Sequence, residues 1–232
     1  MLKPYFYQLS PESISGHELD QLLALGWYRM HQDIFTCSHI GADAPYRVHW
    51  LRYDLKEIRS HASHHRIRNR NKHFQFVIEP LTAIRSDHSV LHRKYRSVID
   101  FDGALSIEDC LYGGEETANI FNTKCISVFD EDRLIAGGYF DVGDKAVASI
   151  LHFYDPAYSK FSLGKYLILL TLDYMRAHHY EYYYPGYVVT GQRKMDYKLF
   201  LGKKEAQYFD PLTVSWKYFD ESILAGNSQP AR

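Results

Sequence analysis

The side chains best able to do chemistry in this sequence fall into two regions. Five cations, Arg59, Arg66, Arg68, Arg70 and Lys72, stand together with His61, His64, His65 and His73, and no acid occurs between Ile58 and Ile78. An uncompensated run of this kind suits a phosphate-rich partner. The alternative is a solvated charged surface. The second region runs from Tyr154 to Lys198. Asp155 follows Tyr154 and precedes Pro156, so its carboxylate either orients or deprotonates an amine or caps a Tyr-Asp-Pro turn. Ser162 and Gly164 stand where a helix begins. A small residue there lets a ligand approach the first backbone N–H groups, unless the pair simply caps the helix. In Tyr182-Tyr-Tyr-Pro-Gly-Tyr187, strand alternation puts Tyr182 and Tyr184 on one face and Tyr183 on the other. Such rings serve as core filler or as a platform for a base.

Composition narrows the class. The 232 residues are 46% hydrophobic and 24% charged, with a formal net charge of −1, so neither wholesale disorder nor a global polyanion-binding field is indicated. Twenty Tyr, thirteen Phe, three Trp and thirteen His are many for this length, and protonation of the imidazoles near pH 6 would turn the molecule basic. Cys37, Cys110 and Cys125 are too far apart for a CxxC knuckle, and the side chains of the adjacent pairs His64-His65 and His178-His179 diverge on regular structure. No metal and no cofactor are therefore expected. No G-x-S-x-G elbow is present, so no serine acyl-enzyme is indicated. The first residues lack the apolar run of a signal peptide, and the longest apolar stretch, 166–172, is far below the ~20 residues of a membrane span. A soluble, cytoplasmic protein with no membrane partner is expected.

The elements that position these groups are legible from caps and periodicity. Ser15 to Glu18 forms a capping box, with a helix to Gly26. Strands continue at 27–36 and 46–53, split by a turn at 41–45, and another begins at Phe74. Ser86 is expected to cap a helix through Val98, and Ser106 a short one ending at Gly113-Gly114. Strands at 121–129, 134–142 and 146–154 read as an antiparallel meander. A helix at 165–178, a strand at 180–184 and strands at 205–209 and 213–218 complete the order. This is an α+β arrangement, and meander, glycine-bearing turn, long helix and returning strand resemble the GNAT acyltransferase core, a mixed, largely antiparallel sheet flanked by helices. The expected division is a helix and strand segment with the basic arm (1–80), a GNAT-like core (81–224) and a flexible tail (225–232).

Three stretches carry a more specific resemblance: Leu25-Gly-Trp-Tyr-Arg29 with Phe35; Tyr46-Arg-Val-His-Trp-Leu-Arg-Tyr53 leading to Ala62-Ser-His-His-Arg66; and Phe153-Tyr-Asp-Pro-Ala-Tyr-Ser159 with Ser162-Leu-Gly164, Tyr182-Tyr-Tyr-Pro-Gly-Tyr187 and Lys194-Met-Asp-Tyr-Lys198. In order and spacing they resemble the arginyl-tRNA–protein transferase family of the N-degron pathway and its bacterial leucyl-transferring relatives, over residues 20–218. The resemblance implies transfer of an amino acid from aminoacyl-tRNA, as co-substrate, to the N-terminal amine of an acceptor protein. It seats the tRNA acceptor arm on Arg59, His64, Arg66, Arg68, Arg70 and Lys72. Asp155, with Tyr154 and Tyr197, becomes the catalytic group, and Ser162, Gly164, Tyr182, Tyr184, Gly186 and Tyr187 hold the donor aminoacyl-adenosine. Lys194 and Lys198 are placed to meet an acidic acceptor residue or a phosphate. The family's N-terminal cysteine cluster is not matched, because only Cys37 lies near that region, so its role is not carried over. Two other functions remain open on sequence. One is an acyl-CoA-dependent acetyltransferase, although 159–164 keeps a single glycine where a pyrophosphate loop has more. The other is a non-catalytic tRNA- or degron-binding relative.

Overall fold

The computed structural model describes residues 3–41, 46–99, 103–114 and 118–224. Ser15 caps α1 (Gly16–Ala24) with a complete capping box, since its hydroxyl accepts the Glu18 N–H and the Glu18 carboxylate accepts the Ser15 N–H. β1 (Phe6–Leu9), β2 (Tyr28–Met30) and β3 (Asp33–Cys37) form a small antiparallel sheet in the order β1-β3-β2. Where the pattern predicts one strand over 27–36, the chain turns back at His31, which takes a left-handed φ of +58°.

The main sheet contains β4 (His39–Ile40), β5 (Tyr46–Asp54), β6 (Gln75–Pro80), β7 (Thr123–Asp130), β8 (Arg133–Val142), β9 (Ala146–Tyr154), β10 (Tyr182–Val189), β11 (Ala206–Asp210) and β12 (Ser215–Tyr218). Its order is β12-β11-β5-β10-β9-β8-β7-β6, with β4 pairing on β5. The β7–β9 meander is as predicted, and β10 returns parallel to β9. β5 lies in the middle of this sheet and β6 at its edge, so the expected boundary at residue 80 does not fall on a break in the sheet. The tail 225–232 and most of the 41–45 turn lie outside the described residues.

α2 (Ala62–Asn71) and α5 (Leu163–Ala177) cover one face of the sheet. On the other lie α1, the small sheet, α3 (Ser86–Arg96) and α4 (Ile107–Tyr112). α5 is apolar on most of its circumference and must be covered on both sides. The sheet covers one side. α2 covers the other, with Ile67 in the core and Arg68 paired to Asp173. The predicted basic arm is therefore half a packing element. Ser86 is the first residue of α3 rather than its cap. Arg85 takes the cap position without a side-chain cap bond, and the Asp87 carboxylate accepts the His88 N–H. On the far face, Arg29 lies 2.9 Å from the Asp141 carboxylate and 4.3 Å from the Phe121 ring centroid, and donates to the Leu111 carbonyl. That buried pair ties the small sheet to β8 and α4. No described helix is long and apolar enough to cross a membrane.

The sheet is interrupted at one place. β9 and β10 pair only from Tyr182↔Ala146 to Tyr184↔Ala148. Just beyond, each strand holds an extra residue. Tyr139 faces Leu151 while Phe140 faces Ser149, and Tyr183 faces Tyr53 while Gly186 faces Leu51. Such bulges bend and twist strands, and Pro185 has no N–H with which to extend the ladder. The strands fork. At the fork the Tyr28 hydroxyl reaches the carbonyls of Ser149 and, at 2.9 Å, Tyr184. Tyr28→Phe leaves both carbonyls without this donor and is expected to cost about 1–3 kcal/mol in chemical denaturation, with an unchanged circular dichroism spectrum. A variant as stable as the parent would show that the hydroxyl does not hold the fork.

Candidate active site

The fork opens into a cavity of about 920 Å³. Tyr154 of β9 and Tyr187 of β10 line its two strand walls, and Ser162 and Gly164 bring the start of α5 to it. Ser162 has left-handed backbone angles (φ 56°, ψ 45°) and joins the 3-10 segment Pro156–Phe161 to α5. Its carbonyl accepts the N–H groups of Lys165 (3.0 Å) and Tyr166 (3.1 Å), while its hydroxyl makes no capping bond. The N–H groups of Leu163 and Gly164, in the first turn, have no intrahelical acceptor and carry the positive end of the helix dipole. A Cβ built on Gly164 would meet nothing nearer than the Tyr154 ring at 3.7 Å, so the space above it belongs to the cavity.

The 3-10 segment Arg193–Leu199, packed on β10, brings Lys194, Tyr197 and Lys198 to the same cavity. The Lys198 ammonium donates to the Tyr187 carbonyl at 3.0 Å and lies 4.7 Å from the Tyr187 ring centroid. Its backbone is fixed by the Tyr53 hydroxyl, which donates to the Lys198 carbonyl at 3.0 Å. Gly186 makes room for it, because a Cβ there would stand 3.2 Å from Nζ and the φ of +96° suits glycine. Although the side chain is only half-buried by exposure, its amine ends among protein atoms inside the cavity, and burial pulls it down to about 8. His152 also lines the cavity, 3.3 Å from the Ser149 hydroxyl. Burial first, and the Lys198 charge second, push it down to about 4, so the imidazole is neutral at physiological pH.

Other predicted site residues lie elsewhere. Asp155 does not line the cavity. Its 2% exposed carboxylate is held by Lys94 of α3 (2.7 Å) and Arg133 of β8 (2.6 Å) and accepts the Ala157 N–H (3.0 Å). Burial alone would raise this carboxyl, but the Lys94, Ala157 and Arg133 bonds outweigh it and hold the group below its usual range. The geometry is that of a clasp joining α3, β8 and the turn into α5. Tyr182 and Tyr184 do not line the cavity: both lie where β10 is still paired with β9, with Tyr182 under the Arg52 guanidinium (4.8 Å) and Tyr184 against Trp216 (5.7 Å). Of the basic run, His64 is buried with Nε2 at 3.2 Å from the Phe200 carbonyl, and Arg68 is paired. Arg59, Arg66, Arg70 and Lys72 are exposed. The helix adjoins the cavity at two points. Arg70 donates to the Lys160 carbonyl (2.6 Å), next to the lining residue Ser159, and His64 packs on the same Phe200 ring that Lys165 of the cavity wall overlies at 5.2 Å.

Residue types and spacing do not single out His152, Lys165 or the α3 residues His92, Tyr95 and Arg96, all of which line the cavity. His152 shares the strand face of Tyr154, two residues on, so alternation is a usable signal for it. Nothing in the α3 sequence distinguishes its inward histidine from a core one. Among the described residues no group of three or more His, Cys, Asp or Glu is arranged to hold a metal ion, and burial raises all three thiols to about 11.

The sequence profile of the family described as "Arginine-tRNA-protein transferase, C terminus" matches residues 56–207. The chain belongs to this family. The matched span takes in α2, the fork, the start of α5 and the Lys198 segment. Similar proteins include an aspartate/glutamate leucyltransferase of Paracoccus denitrificans, 29% identical over 203 residues that cover 79% of this chain and 69% of that protein. An arginyl-tRNA–protein transferase 2 of Arabidopsis thaliana is 34% identical over 95 residues, 39% of this chain and 15% of that protein. Among solved structures, L-PGS from Bacillus licheniformis superposes with a TM-score of 0.46 at 15% identity, over 61% of this chain and 46% of that one.

Gly164→Ala adds a methyl group to the cavity and not to the core. The expected result is an unchanged or slightly raised Tm, since this φ tolerates a side chain, with at least ~10-fold weaker binding of a ligand whose carbonyl rests on the start of α5. A clear fall in Tm would instead assign the glycine to the fold.

Proposed function

We propose that this protein is an aminoacyl-tRNA–protein transferase, passing the amino acid from the 3′ ester of a charged tRNA to the N-terminal amine of an acceptor protein. The observation that carries the reading is the fork, which sets the free N–H groups of α5 and the Lys198 ammonium on one cavity. The family match over this region supports it. The neutral acceptor amine attacks the ester carbonyl, the carbonyl oxygen becomes an oxyanion, the bond to the ribose oxygen breaks, and the ammonium proton passes to that oxygen. The ester is already activated. The protein's work is therefore to orient the two substrates, worth about 7–11 kcal/mol in favourable cases, and to stabilise the oxyanion at Leu163 and Gly164.

Lys198, with Lys194 beside it, suits the side chain of an acidic first residue, the specificity named for the leucyl-transferring relatives. Tyr197 and Tyr187 wall that subsite, and Asp155 acts as a holding group for the donor turn rather than on a proton. The exposed cations Arg59, Arg66 and Lys72, with Arg70, lead the tRNA acceptor arm to the cavity along α2. The direct test is mass spectrometry of an Asp-initial peptide incubated with charged total tRNA. Addition of one amino-acid residue mass is expected and names the donor. No addition with folded protein and intact charged tRNA rejects the reading, and saturable binding of CoA in its place would point to acetyl transfer.

Lys198 also sets a pH signature. Below about pH 8 it is a cation, and above it the charge is lost. The attacking α-amine, with an ordinary pKa of about 8, becomes a nucleophile over the same range. kcat/KM for an Asp-initial acceptor is therefore expected to peak near pH 8 and fall at higher pH. Lys198→Arg, which stays charged, should remove the alkaline fall. An identical fall in that variant would mean that another group reads the acceptor.

A further inference from the structure

The α3 wall of the cavity has no part in the transfer chemistry, yet it is built for a ligand. His92 lines the cavity and is only 2% exposed, with its ring edge-on to Phe153 at 5.5 Å. Its Nδ1 is buried and, among the described residues, has no hydrogen-bond partner. One turn earlier on the same helix, His88 is equally buried, but both of its ring nitrogens are satisfied, by the Tyr139 hydroxyl (2.9 Å) and the Ser127 hydroxyl (2.8 Å). An orphaned buried polar atom is costly, and it becomes useful when a ligand supplies the partner. Burial, and after it the Arg96 charge, disfavours the imidazolium against the opposing pull of Glu108. The ring is thus a neutral imidazole, with one donor and one acceptor.

Next to it, Tyr95 and Tyr154 meet with ring centroids 5.0 Å apart and planes inclined by 52°, and both line the cavity. The Tyr154 ring is also the nearest neighbour of the open space over Gly164. We propose that His92, Tyr95 and Tyr154 form the subsite for the terminal adenine of the donor, with the base stacked on the tyrosines and its edge read by His92. The proposal rests on the transferase reading and deepens it. A base on Tyr154 leaves its ribose, and the ester one bond beyond, beside Gly164. Adenine carries an exocyclic amino donor that the unpartnered Nδ1 of a neutral imidazole can accept, and its π face needs no charge to stack. The direction of approach agrees. Arg70, at the C-terminal end of α2, bonds the Lys160 carbonyl beside lining residue Ser159, so a strand running along α2 reaches the cavity on the Tyr154 side, while Lys194 and Lys198 remain on the β10 side for the acceptor.

The test uses stable donor analogues in which leucine is joined by a 3′-amide to adenosine, or to the same nucleoside with purine in place of adenine, titrated calorimetrically into the whole protein. The parent is expected to favour adenine by about tenfold, one hydrogen bond's worth. His92→Phe, which keeps the ring volume, should erase that preference, and His92→Gln should restore part of it. Tyr95→Leu should weaken both analogues alike, by about tenfold, without changing KM for the acceptor peptide. Equal binding of the two analogues by the parent overturns the proposal and needs no variant to fold. Retention of the preference by folded His92→Phe also overturns it. Transfer from charged tRNA with no base preference removes only the subsite, whereas neither transfer nor analogue binding removes the transferase reading with it.

Discussion

The separation of β9 from β10 is the constraint on which the rest of the molecule depends. A parallel pair that continued beyond Tyr184 would close the sheet, bury the start of α5 behind it and leave no cavity. Extra residues in both strands at the same level, with Pro185 lacking a donor, force the divergence. The backbone groups released there need partners, and side chains from other elements provide them: the Tyr28 hydroxyl at the apex and the Lys198 ammonium on the Tyr187 carbonyl. The second of these places a cation in the cavity. One side chain thus serves the fold and, in the proposed reaction, the acceptor.

Charge is divided between surface and interior by role. The exposed cations of α2, Arg66 and Arg70, stand at the surface, where salt screens their charge. Arg68, by contrast, joins α2 to α5, and Asp155 gathers Lys94 and Arg133 into a clasp. That clasp sets α3 against the turn that enters α5, so it fixes two cavity walls relative to each other. Arg29 and Asp141 do the same for the small sheet and the meander.

Local signals are the legible part of the sequence. The Ser15 capping box, the 121–154 meander and the long apolar helix each announce themselves through caps or period, and each is present. Ser162 and Gly164 stand out by residue type and position and Tyr187 and Lys198 through the family resemblance, and the four meet in one cavity. Asp155 is misplaced by sequence because a linear pattern gives no view of Lys94, far earlier in the chain, which neutralises it. Alternation correctly puts Tyr182 and Tyr184 on one face, but it does not show that both fall where β10 is still paired with β9, short of the fork. His92 is invisible for the same reason: a buried histidine with satisfied nitrogens and one without look alike until the surrounding strands are in place.

The claim at the centre is that the fork holds a donor ester against the first turn of α5. A crystal structure of the protein with the stable leucyl-amide adenosine analogue tests it most directly. The account predicts the analogue inside the fork, its carbonyl oxygen about 3 Å from the N–H of Leu163 or Gly164. An analogue bound outside the fork, with Gly164 left uncovered, would contradict it.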